Sequence, residues 1–196
     1  MIATSTLKSL SLDEADAAVD EGAAVVDLRP ISDYLDVHIP GSLALLYEFG
    51  PGMASRARDC LPLSVPLVLL EDGSSDLMNA AASLRGKGFT VLGRLGGGVS
   101  EWANARGTPA STEVVDAPPE GTTVLDVSDP GAPEATGAVT IPIEHLWTRV
   151  HEIEGKGPVV VNAGRGIRAA LAVGMLERAG IDVVFWWTRP TPTPSR

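Results

Sequence analysis

Short apolar runs recur along the chain, and each is followed by a break and then by a stretch of helical spacing. Ala23-Ala24-Val25-Val26-Asp27-Leu28, Val65-Pro66-Leu67-Val68-Leu69-Leu70, Phe89-Thr90-Val91-Leu92, Thr123-Val124-Leu125-Asp126-Val127 and Val159-Val160-Val161 are continuous rather than alternating. That pattern predicts strands buried on both faces, as in a parallel sheet. Between them, Leu10 to Glu21 predicts a helix: Ser11 can cap it, Glu14 completes a capping box, and Gly22 ends it. Leu77 to Leu84 is an Ala-rich helix stopped near Gly86 and Gly88. Ile143 to Ile153 has helical period, and Arg168 to Arg178 predicts a helix closed by Gly180 before a strand from Ile181 to Trp187.

Other segments are less regular. Arg29-Pro30 breaks the first run, Ile31 to Leu35 is a helical turn, and His38 to Leu45 is a turn feeding a short strand. Tyr47 to Asp59 is irregular, with a helical part from Met53 to Arg58, and Gly96-Gly97-Gly98 opens a turn into a helix that carries Glu101 and Trp102. Strands alternating with helices place the chain in the α/β class.

The same order of elements occurs twice. Thr123 to Val127 repeats Val25 to Leu28, Gly137-Ala138-Val139-Thr140-Ile141-Pro142 echoes Gly41-Ser42-Leu43, and Gly180 answers Gly88, with connections that shorten toward the C-terminus. Gly107 to Gly121, with its prolines and small polar residues, reads as a linker. The expected organisation is a first unit over 1–108, a linker over 109–120, an abbreviated second unit over 121–187, and a disordered Pro/Thr-rich tail over 188–196.

Charge narrows the partners. The formal charge is −10, and no basic run offsets it, so nucleic acid and anionic membrane surfaces are not expected partners. The N-terminus lacks the apolar stretch of a signal peptide, and no run approaches a membrane span, so a cytoplasmic protein is expected. The lone cysteine, Cys60, allows no internal disulfide and no cysteine-based metal site. His38, His145 and His151 are scattered and read as surface or capping residues. No metal and no cofactor is expected.

One stretch bears on chemistry. Val159 to Asn162 leads into a tight loop and then a helix, so that backbone N–H groups and the helix dipole converge on one spot. The anion-binding loop is assigned to Ala163, Gly164, Arg165, Gly166, Ile167 and Arg168, the two arginines adding positive charge. An arginine there opposes the helix dipole and so asks for a counter-charge. The loop holds no Cys, Ser, Thr, His, Asp or Glu, hence no nucleophile. In the first unit Glu71, Asp72 and Asp76 are expected around a helix N-terminus as capping acids. Asp27 and Arg29 read as an architectural ion pair.

The combination Val26-Asp27-Leu28-Arg29, Tyr34, His38-Ile39-Pro40-Gly41-Ser42, then Gly97-Gly98 and Trp102 resembles the rhodanese-like family, with its D-x-R strand end, H-I-P-G-A turn and closing G-G-x-x-x-W. In the second half Leu125-Asp126-Val127, Gly137-Ala138, Ile141-Pro142 and Val161 to Arg168 are similar to the same family's strand and C-x-x-G-x-R loop. The resemblance implies two rhodanese-like domains, each a small, mostly parallel sheet flanked by helices, the second abbreviated at its C-terminus, where the second G-G-x-x-x-W is missing. It also implies sulfur transfer through a cysteine persulfide. Carried over residue by residue, the nucleophile's place falls on Ala163 in the second copy and Glu71 in the first, and Arg168 corresponds to Asp76. A tandem rhodanese-like protein without either cysteine is therefore expected to be non-catalytic, binding a small oxyanion or a sulfur-carrying partner protein, as a monomer or homodimer. The alternative is a thiosulfate or persulfide sulfurtransferase that works with an external cysteine. The bare face left by the shortened second unit is expected to pack on the first half or on a second subunit.

Overall fold

The computed structural model describes residues 6–47, 50, 52–73, 76–128, 137–153, 157–162 and 166–186. Ten strands and seven α-helices are distributed over the two halves of these residues. The first half contains β1 (Ser9–Leu10), α1 (Leu12–Asp20), β2 (Ala24–Asp27), α2 (Ile31–Asp36), β3 (Leu43–Ala44), α3 (Gly52–Cys60), β4 (Leu67–Leu70), α4 (Leu77–Gly86), β5 (Val91–Leu95) and α5 (Gly98–Arg106). The second contains β6 (Glu113–Val115), β7 (Thr123–Asp126), β8 (Val139–Thr140), α6 (Ile143–Arg149) with a 3₁₀ turn at Val150–Glu152, β9 (Val159–Asn162), α7 (Ile167–Arg178) and β10 (Val183–Trp186).

The two sheets share one topology. Their strand orders are β1-β5-β4-β2-β3 and β6-β10-β9-β7-β8, and every neighbouring pair is parallel. The apolar runs occupy the three central positions of each sheet, where both faces are covered or flanked and continuous hydrophobicity is required. β2 and β4 are buried at every residue.

Several boundaries differ from the sequence expectation. β5 begins at Val91 and runs to Leu95, because Phe89 and Thr90 complete the turn after α4. α3 spans Gly52–Cys60, longer at both ends than the expected helical part. The edge strands β1 and β6 have no apolar pattern to announce them. β6 lies inside the stretch read as a linker, and Ala110, from the same stretch, pairs with His38 in an antiparallel bridge. Residues 109–120 thus contribute to both halves rather than merely joining them. The tail over 188–196, Trp187 and any closing element after β10 lie outside the described residues.

The capping box at α1 forms as the sequence implies: Ser11 Oγ accepts from Glu14 N at 3.1 Å, and Ser11 N donates to Glu14 Oε2 at 2.8 Å. On the opposite side of sheet 1 from the main core, α1 and α5 cover a small cluster built on Ala15, Val25, Val68, Leu95 and Val99. Among the described residues of the second half, no helix lies between β6 and β7 or after β10. Val124, Val184 and Trp186, on the corresponding side of sheet 2, are only partly buried.

The other faces of the two sheets share one core. It runs without a break from Val26, Leu43 and Leu69 through α7 to Val159, Val161 and Phe185. α7 is buried at every residue from Ala169 to Leu176 because it packs on its own sheet and on β3 of the first half. Gly174 makes this approach feasible: a Cβ there would lie 2.0 Å from the Ser42 carbonyl oxygen and 3.1 Å from the Tyr34 hydroxyl. The first half therefore covers the apolar side of α7. Among the described residues, no helix is long and apolar enough to cross a membrane.

Candidate functional site

In a parallel sheet the loops after the central strands gather at one edge, so function is sought where β4 and β9 end. The two loops are built differently. β4 and β9 are both four residues long, and Glu71 follows one as Ala163 follows the other. The helices then begin at Leu77 and Ile167, with N-caps Asp76 and Gly166. The second loop is therefore shorter. Aligned from the helix starts, Arg168 corresponds to Met78, not to Asp76 as the sequence offset implied.

In the first loop Asp76 caps α4, its Oδ1 accepting from Asn79 N at 3.1 Å. Glu71 does not join it. Arg94, on the neighbouring β5, holds the Glu71 carboxylate at 3.0 Å. The expectation of three acids around this helix end is corrected accordingly: Asp76 serves the helix, and Glu71 pairs across the sheet. Asp72 contributes to a negative field that, with Asp27 and Asp33, raises the Arg29 pKa against the cost of its burial. This edge is acidic and self-neutralised.

Nearby, Asp27 and Arg29 form the expected ion pair. Asp27 is fully buried, and Arg29 donates to both its carboxylate oxygens and, at 2.7 Å, to the Val37 carbonyl. The carboxylate end of β2 is thus pinned to the residues that follow α2.

In the second loop Ala163, Gly164 and Arg165 lie outside the described residues. Gly166 caps α7 with φ +86°, a conformation that favours glycine. Ile167 and Arg168 form the first turn. Arg168 Nη1 donates to Glu144 of α6 at 2.5 Å. The counter-charge that an arginine at a helix N-terminus requires is therefore supplied from within the chain. Glu144 and Arg168 line a cleft of about 240 Å³ together with Ser55, Arg56, Asp59 and Cys60 of α3. The cleft thus has walls from both halves of the molecule.

Cys60 is the residue in this cleft that sequence reasoning did not bring there. It ends α3, opposite the start of α7, and only the packing of α3 on α6 joins them. Cys60 is 4% exposed. Burial, seconded by the Glu144 carboxylate, pushes its thiol up to about 12, while Arg168 and Arg56 pull the other way. A thiol of that kind is protonated and a poor nucleophile.

His38 also departs from expectation. It is fully buried, not a surface histidine, and its ring stacks on Tyr34 with centroids 4.1 Å apart. Its Nδ1 donates to the Tyr34 carbonyl at 2.7 Å, and Nε2 faces both carboxylate oxygens of Glu177 on α7. His145 and His151 are exposed.

The sequence of residues 11–105 matches the family model of the rhodanese-like domain. This span runs from the Ser11 cap into α5, and the second sheet repeats the strand order of the first. No curated protein matches the chain. Among solved structures, a thiosulfate sulfurtransferase from Pseudomonas aeruginosa is 18% identical over 97% of this chain and 47% of its own, with a TM-score of 0.44. The chain thus spans about half the length of that protein. SseA from Escherichia coli, described with the 3-mercaptopyruvate sulfotransferases, is 18% identical over 92% of this chain and 98% of its own, with a TM-score of 0.42. The Alr3790 protein from Anabaena sp. is 24% identical over 52% and 81%, with a TM-score of 0.45. None of these likenesses bears on activity.

Proposed function

We propose that the chain is a non-catalytic rhodanese-like protein, and that the cleft between its halves, at the loop after β9, binds a small oxyanion or a sulfur-carrying partner protein. One observation carries the reading. The chain's single thiol sits in α3, 4% exposed and protonated up to about 12, and not in either strand-to-helix loop. Persulfide transfer needs a reactive thiolate, and neither Glu71 nor Ala163 can supply one. The binding part rests on the remaining cradle: Gly166 at the start of a twelve-residue helix, with Arg168 and Arg56 lining the cleft. An arriving anion has to share Arg168 with Glu144, which favours a weak, exchangeable ligand over a resident one. The net charge of −10 adds to that bias. In this reading the protein is cytoplasmic, with a role linked to sulfur metabolism.

The test is sulfur transfer from thiosulfate to cyanide by the full chain, with Ala163→Cys assayed in parallel and sulfate binding followed by calorimetry. The reading expects no turnover by the native chain, persulfide formation by Ala163→Cys, and weak sulfate binding that Arg168→Gln removes. Turnover by the native chain would overturn the non-catalytic part. Turnover that appears only with an added thiol-bearing partner would favour the sulfurtransferase alternative.

A further inference from the structure

A second cleft, of about 220 Å³, lies on the second half, between α6, the 3₁₀ turn that follows it and the C-terminal end of α7. Among the described residues its lining is Trp147, Val150, Met175, Ala179 and Arg178. Four of the five are apolar. Met175 belongs to the shared core, and Trp147, Val150 and Ala179 are partly buried against it. The cleft is thus a place where that core comes to the surface, with one charge at its side and no acid in its described lining.

The charge is that of Arg178, the last residue of α7. Its guanidinium carbon lies over the Trp147 ring, 5.5 Å from the centroid, so the cation sits at the cleft. One N–H donates to the Ala23 carbonyl at 3.3 Å, and among the described residues no carboxylate pairs with the guanidinium. The acids nearest in sequence are committed elsewhere: Glu177 to His38 and the Gly41 amide, and Glu152 to Arg149. Burial alone lowers the Arg178 pKa, with no anion acting to raise it. A guanidinium carries five N–H donors in a planar fork suited to a carboxylate. A partly desolvated cation without an anion is an incomplete pair.

We infer that this cleft is a binding site for a small monocarboxylate with an apolar body the size of one ring, whose carboxylate pairs with Arg178 while the body lies against Trp147 and Met175. Size and lining set the class. A cavity of about 150 Å³ holds benzene, so about 220 Å³ accommodates a single ring with its carboxylate. An aromatic body suits an indole and a thioether, both of which make favourable contacts with rings. A dianion such as sulfate has no apolar part to cover these side chains, and one guanidinium leaves most of its oxygens without donors. Charge complementarity selects an acid over a neutral ligand of the same shape.

The site is separate from the cleft at Arg168, so the two are tested apart. Benzoate is titrated into the full chain, with benzyl alcohol, acetate and sulfate as controls, and the Trp147 indole N–H and Ala179 amide resonances are followed. The expected result is saturable movement with benzoate, binding at least about tenfold weaker with benzyl alcohol and with acetate, and none with sulfate. Arg178→Gln should weaken benzoate binding about tenfold or more, the loss of one charge-assisted pair. Ala179→Leu fills the cleft without touching a charge and should also remove binding, which separates loss of the site from a folding defect specific to Arg178→Gln. Arg168→Gln should leave binding unchanged. No saturable movement, equal affinity for benzyl alcohol, equal affinity in Arg178→Gln or Ala179→Leu, or loss of binding in Arg168→Gln would each overturn the inference. Movement of the same resonances with protein concentration alone would mean that a second copy of the chain covers the cleft, and would overturn it too.

Discussion

Glu177 on α7 accepts the Gly41 amide at 2.9 Å while its two carboxylate oxygens face His38 Nε2 at 2.9 and 3.0 Å, so one side chain of the second half closes the turn that leads into β3 of the first. His38 is fully buried, and Glu177 is largely so. Removing the carboxylate strands a buried ring nitrogen and a backbone N–H together. Glu177→Ala should cost about 1–3 kcal/mol for each group left unsatisfied. Urea denaturation of Glu177→Ala and of His38→Phe, alone and combined, checks this. Strictly additive effects would mean that the contact does not couple the halves.

Gly174 should resist any side chain. Its Cβ would meet the Ser42 carbonyl oxygen at 2.0 Å, and backbone on both sides cannot yield cheaply. Gly174→Ala is expected to destabilise by about 1–3 kcal/mol or more through overpacking, although alanine favours the helix itself. A thermal scan that showed Gly174→Ala as stable as the native chain would mean that the halves do not press together at this point.

The same packing implies that the second half does not stand alone. α7 buries Ala169 to Leu176 partly against β3. A fragment from Pro118 onward should expose that surface and aggregate or remain unfolded. Cooperative unfolding of a monomeric fragment, seen by circular dichroism and light scattering, would contradict the shared core.

Cys60 gives a pH dependence with a definite sign. Its thiol rises from an ordinary 9.0 to about 12 in the folded chain. Below 9.0 both states keep the proton, and Cys60 has no effect on the pH slope. Between 9.0 and about 12 the unfolded chain loses the proton while the folded chain keeps it, so stability falls as pH rises, by about 1.4 kcal/mol per pH unit. The difference between native and Cys60→Ala unfolding curves isolates this slope from the buried Tyr34, whose pKa is also raised by burial. Thiol labelling near pH 8 should be slow in the native chain and fast in denaturant. Rapid native labelling would show that the cleft opens or that the thiol is not held neutral.

Ser11→Ala removes one half of the capping box and should cost about 1 kcal/mol. A chemical denaturation midpoint unchanged by the substitution would mean that α1 is held by its packing on Ala15 alone.

The chain's own pattern determined the parallel α/β class, the central strands, the order of elements that recurs in the two sheets, the capped α1 and the absence of a cysteine from both strand-to-helix loops. These features are local: a continuous apolar run, a capping spacing or a missing residue type is visible wherever it occurs. The short strands β1 and β6 were not legible, because edge strands of two or three residues are defined by partners and not by a pattern of their own. Tertiary packing alone decided that His38 is buried, that Arg168 finds its counter-charge in Glu144, and that Cys60 shares a cleft with both. It also decided that Arg178 arrives beside Gly41. Each of these joins residues far apart in sequence through the approach of α7 and α6 to the first half, and that approach depends on shape, on Gly174 having no side chain, and not on any periodicity.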